Sequence, residues 1–80
     1  MSERIYFNDP RMFAETLSAP HYAKQILMYC LRINFSNNTF LFEMIPNCEF
    51  LLIDEFKSEL EKSIKEKFSC DKFTFLYSIK

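Results

Sequence analysis

Apolar and polar residues alternate with period two from Leu31 to Phe35 and again from Phe40 to Met44, a pattern that predicts two β-strands. Between them stand Asn37 and Asn38. Asparagine tolerates the positive φ that a type I′ turn needs at both central positions, so a two-residue hairpin turn is predicted there. That turn sets a register. Phe35 faces Phe40, Ile33 faces Phe42 and Leu31 faces Met44 on one side, while Ser36–Thr39, Asn34–Leu41 and Arg32–Glu43 pair on a mostly polar other side. A helix over residues 22–35 competes for the dense apolar run from Ile26 to Leu31. Period two is preferred because it also explains Phe40, Phe42 and Met44.

Upstream, Asp9 and Pro10 form a helix-start signature. The carboxylate can accept from an orphan amide, and Pro10 sits where its missing N–H costs nothing. Met12, Phe13 and Leu17 give that helix a narrow apolar stripe, Ser18 to Pro20 stops or kinks it, and residues 21–25 add a further turn. Ile5 to Phe7 reads as a short edge strand or an arm laid on the core. Downstream, Pro46 and Asn47 signal a second turn. A third strand, Cys48 to Ile53, then folds back with Leu51 and Ile53 on the inner face and Cys48, Phe50 and Leu52 on the outer face. The alternative begins a helix at Asn47, giving a ββαβ order of the ubiquitin type.

Asp54 to Phe68 is the clearest helix, with Phe56, Leu60, Ile64 and Phe68 recurring every four residues. Asp54 is expected to cap it, Lys65 and Lys67 suit its negative end, and Glu61 with Lys65 makes an i,i+4 pair. Lys72 to Ile79 alternates again, placing Phe73, Phe75, Tyr77 and Ile79 on one side of a last strand. The expected fold is therefore α+β, a single domain over residues 1–80. It is a small two-layer sandwich in which two helices cover one face of an antiparallel sheet, in the order α-β-β-β-α-β.

Composition narrows what such a domain does. Eighty residues bury only roughly 60 to 65% of the unfolded surface, so stability should be modest. A hydrophobic share of 49%, with ten phenylalanines, excludes a disordered tail. The net charge of −1 argues against a bulk polyanion-binding surface. Absence of glycine removes glycine-rich phosphate-cradling loops. Cys30, Cys48 and Cys70 are odd in number and too far apart for a CxxC pair, so neither a disulfide framework nor a zinc site is signalled. The first residues lack a basic segment followed by an apolar run, and no uncharged apolar stretch reaches the ~18 residues of a membrane span. A reducing, cytoplasmic setting is expected, without membrane association.

No catalytic constellation emerges. His21 is the only histidine and has no cysteine or carboxylate cluster near it in sequence, and the acidic residues of the second helix are spaced for solvation and ion pairing. The chain is expected to have no catalytic residues, to hold no metal or cofactor and to take no small-molecule substrate. Two surfaces stand out instead. Leu41, Ile45, Phe50 and Leu52 form an apolar group on the outer sheet face, either a candidate protein interface or a patch covered by the arm Ile5 to Phe7. Arg4, Arg11, Lys24 and Arg32 are candidate RNA or phosphate contacts, with Tyr22 and Tyr29 among them.

The run from Thr39 to Asp54, followed by the helix from Glu55 to Phe68, resembles in its spacing of strands and turn the α-βββ-α subunits of eukaryotic ribonucleoproteins. Two kinds share it: a small large-subunit ribosomal protein that adds a final strand, and the Alu-domain subunits of the signal recognition particle. The resemblance implies a non-catalytic subunit of an RNA–protein assembly, with structured RNA and neighbouring proteins as partners. Where such subunits carry Lys or Arg in a strand, this chain has Phe42, Glu43 and Met44, which shifts the expected contacts toward protein neighbours. The alternative is a protein–protein interaction module of ubiquitin-like or ferredoxin-like topology, binding through the outer sheet face or an edge strand.

Overall fold

A computed structural model describes residues 9–79. The elements are α1 (Pro10–Glu15), α2 (His21–Met28), β1 (Cys30–Ser36), β2 (Thr39–Met44), a 3-10 turn (Glu49–Leu51), α3 (Asp54–Phe68) and β3 (Thr74–Ile79). The chain is an α+β domain, as its patterning implies. Ile5 to Phe7, read as a strand or arm, lies outside the described residues.

The hairpin forms on Asn37 and Asn38, whose φ angles are 51° and 58°. Five of the six anticipated pairs are present, from Ser36–Thr39 to Arg32–Glu43. The sixth is replaced. A bulge between Cys30 and Arg32 sets Cys30 opposite Met44 and turns Leu31 out to solvent, instead of leaving Leu31 on the inner face. At the other end of the hairpin Phe35 is 41% exposed, its ring 4.6 Å from Phe40.

Helix and strand divide the contested run between them. Ala23, Ile26 and Leu27 are fully buried at helical spacing, so the chain stays helical through Met28 and becomes a strand only at Cys30. Residues 21–28 are thus a helix in their own right, and among the described residues the helical layer holds three helices where two were expected. Asp9 caps α1, accepting from the Met12 amide at 3.4 Å.

Cys48 to Ile53 is not a strand. Cys48 and Leu51 enter the core three residues apart while Phe50 and Ile53 face out, a spacing that only a helical turn produces. α3 follows with Ile53 rather than Asp54 at its cap, and Asp54 and Glu55 occupy its first turn. Leu60 and Ile64 are fully buried, while Phe56 packs on Tyr22 and Phe68 on Phe13, Phe40 and Phe73. The helix ends at Ser69 in the left-handed region (φ 53°), and the Cys70 amide donates back to the Lys65 carbonyl at 3.0 Å.

Because no third antiparallel strand intervenes, α3 carries the chain back and β3 pairs directly with β2, in parallel. The sheet is mixed, with strand order β1-β2-β3, where an all-antiparallel one was expected. Ile33, Phe40, Phe42 and Met44 meet the three helices on its inner face. Rings stack along this face across the parallel pair, Phe40 on Phe75 at 5.5 Å and Phe42 on Tyr77 at 5.1 Å.

Candidate functional site

The basic residues singled out in the sequence do not converge. Arg4 lies outside the described residues. Arg11 is exposed on α1 and Lys24 is half-buried on α2, both in the helical layer. Arg32 alternates with the buried Ile33, so it belongs to the opposite face of the sheet. There its Nε donates to Glu43 Oε2 at 3.1 Å, and the Asn34 amide donates to the same oxygen. This cross-strand cluster neutralises Arg32 against a carboxylate that is only 7% exposed.

Nor do the four apolar candidates share a surface. Leu41 is half-buried on the outer face of β2. Ile45 follows the strand and donates its amide to the Tyr29 carbonyl at 3.0 Å. Phe50 sits on the 3-10 turn, 61% exposed, edge-on to Tyr29 at 5.7 Å. Leu52 packs against the core. The outer-face grouping with Phe50 and Leu52 depended on a strand at 48–53 and is lost with it.

What the topology brings forward is β3. Among the described residues it is the last strand of the sheet and pairs on one side only, and the run from Thr74 to Ile79 carries no charged residue. The Thr74 amide donates to the Asn38 carbonyl at 2.8 Å. Strand alternation therefore aims the backbone groups of Thr74, Leu76 and Ser78 at β2, and those of Phe75, Tyr77 and Ile79 at the open edge. Leu76 lies opposite Leu41 on the outer face and is 50% exposed, and Ile79 is 39% exposed.

α3 borders this edge on the inner face. The Tyr77 hydroxyl donates to Glu61 Oε2 at 2.8 Å, Lys57 Nζ lies 5.5 Å from the Tyr77 ring centre, and Lys65 Nζ lies 5.9 Å from that of Phe75. Glu61 thus turns to Tyr77 rather than to Lys65, the partner expected one turn away. Glu61 and Lys65 also line an open groove of about 530 Å³ that continues to Ser69, Cys70 and Asp71. Its walls mix both signs of charge.

Burial acts on three titratable side chains, Tyr77, Cys30 and Cys48. Burial, reinforced by the hydrogen bond and charge of Glu61, holds the Tyr77 hydroxyl well above the usual phenol range, so it is a fixed donor. Burial pushes the Cys30 thiol up to about 12 and raises that of Cys48, which keeps both as thiols at neutral pH. His21 lies on the surface of α2, where its Nε2 is 2.9 Å from the Gln25 amide nitrogen. Among the described residues no group of three His, Cys, Asp or Glu is arranged to hold a metal ion, and no helix is long and apolar enough to cross a membrane.

Leu76, Tyr77, Glu61 and Lys57 had no binding role in the sequence pattern. The uncharged run was visible in the sequence, but its position at an edge depends on strand order. No protein-family model, no curated protein and no solved structure matches this chain.

Proposed function

We propose that this chain is a non-catalytic protein-binding module, cytoplasmic in setting, that accepts an extended strand at the open edge of β3. The observation that carries the reading is the uncharged edge itself, with the backbone groups of Phe75, Tyr77 and Ile79 turned away from β2. Exposed edges are normally protected against strand addition by bulges, charges or proline. The opposite edge strand, β1, has a bulge after Cys30 and the exposed Arg32. β3 has none of these devices. Main-chain hydrogen bonds along such an edge supply affinity, and flanking side chains supply selectivity.

A ribonucleoprotein subunit, the role implied by the resemblance, draws less support. Arg11 and Lys24 lie on the helical side, whereas Arg32 lies on the other side of the sheet and is engaged by Glu43.

The two readings separate in native copurification. Strand addition predicts a protein partner lost with Ile79→Pro, which removes an outward amide from an exposed position, and with Leu76→Lys. It also predicts little change between low and high salt. Structured RNA as the partner, released steeply by salt and by Arg11→Glu with Lys24→Glu but indifferent to the β3 variants, overturns the reading.

A further inference from the structure

We infer that the strand accepted by β3 is β3 of a second copy, the two pairing antiparallel about a two-fold axis at Leu76 to give one six-stranded sheet. This rests on the edge-strand reading above and names its partner.

Register and charge carry the inference. Outward-facing backbone groups must meet outward-facing groups, so a two-fold axis can fall at a residue but not between residues. At Leu76, Phe75 of one copy faces Tyr77 of the other and exchanges both hydrogen bonds with it, and the same pair recurs across the axis. The leucines meet at the axis itself, a non-hydrogen-bonded position where side chains approach most closely. Thr74 faces Ser78 on the same outer face, so no like charges meet anywhere along the strands.

The flanking helices fit the same axis. Lys57 lies over Tyr77 and Lys65 over Phe75, so α3 runs opposite to β3. Opposing Phe75 to Tyr77 of the second copy brings Lys65 to that copy's Glu61, which is held by the Tyr77 hydroxyl beside Lys57. Each Glu61 then stands between two lysines, Lys57 of its own copy and Lys65 of the other. Moving the axis to Tyr77 sets the exposed Leu76 against Ser78 instead of a second leucine, so apolar contact selects Leu76. The assembly closes as a dimer, because β3 is consumed and the remaining edge is the bulged β1.

The test is a charge exchange at the axis, read by sedimentation equilibrium on the full chain with circular dichroism to verify folding. Wild type is expected at twice the chain mass. Leu76→Asp and Leu76→Lys are each expected to weaken the dimer by about 100-fold or more, because each sets like charges opposite one another and removes two apolar contacts. An equimolar mixture of the two variants is expected to recover dimers, which a structural defect or an unrelated interface cannot do. Folded variants that remain dimeric alone, or a mixture that stays monomeric, overturn the proposal.

A wild type that is monomeric up to a few hundred micromolar overturns it too, and the edge reading then stands or falls separately. A synthetic peptide of residues 72–79 that perturbs the β3 amides of the labelled chain keeps β3 as a strand acceptor for another partner. A peptide that perturbs nothing removes both readings.

Discussion

The hydroxyl of Tyr77 donates a 2.8 Å hydrogen bond to Glu61, tying the edge strand to the helix that carries the chain back to it. Both residues are half-buried, and removing Glu61 leaves the phenol without its acceptor. Glu61→Ala is therefore expected to destabilise the fold by about 1–3 kcal/mol, with Glu61→Gln less damaging because its amide oxygen still accepts. Denaturant melts of the two variants check this. Equal stabilities for both variants and wild type contradict the contact.

The aromatic inner face predicts steep costs for truncation. Phe42 and Leu60 are both fully buried, one from the central strand and one from α3. Phe42→Ala and Leu60→Ala are each expected to cost about 2–5 kcal/mol, comparable with the whole stability of a small domain. Wild-type-like melting of either shows that the face is not the core.

Alkaline pH provides a separate test. The Cys30 thiol, which donates to the Arg32 carbonyl at the bulge, is held near 12 against an ordinary 9.0 by burial. A value raised in the folded state contributes stability that is complete below pH 9 and is lost as pH climbs toward 12. Tyr77, raised by burial and by Glu61, acts in the same direction above its ordinary value of 10. The melting temperature is expected to be flat with respect to these groups below pH 9 and to fall above it, with a shallower fall in Cys30→Ala. An identical slope in that variant contradicts the assignment.

The left-handed residue closing α3 is a serine in a chain without glycine. Ser69→Gly is expected to stabilise by about 0.5–1 kcal/mol, since only glycine holds that conformation without a Cβ penalty. Ser69→Val is expected to destabilise, and the two midpoints in urea check the sign.

These tests fall on parts of the fold that were unequally legible in the sequence. The hairpin could be read because alternation, the turn pair Asn37–Asn38 and the Arg32–Glu43 charge match all require one register. Cys48 to Ile53 could not, because six residues with five apolar side chains have no period that separates a strand from a helical turn. Burial of Cys48 with Leu51 decided it. That local outcome set the rest: without a third antiparallel strand, β3 moved beside β2 and became the edge. The candidate site was hidden for the same reason, since edge position belongs to strand order and not to the residues of the strand.

Residue-resolved hydrogen exchange measures directly which amides of β3 are free. At low concentration Phe75, Tyr77 and Ile79 are expected to exchange much faster than Leu76 and Ser78, whose amides bond to β2. As strand addition proceeds with increasing chain concentration, the Phe75 and Tyr77 amides are expected to become protected. Uniform protection along β3 at every concentration, or an alternation that persists unchanged when the protein associates, contradicts the claim that this edge is the binding element.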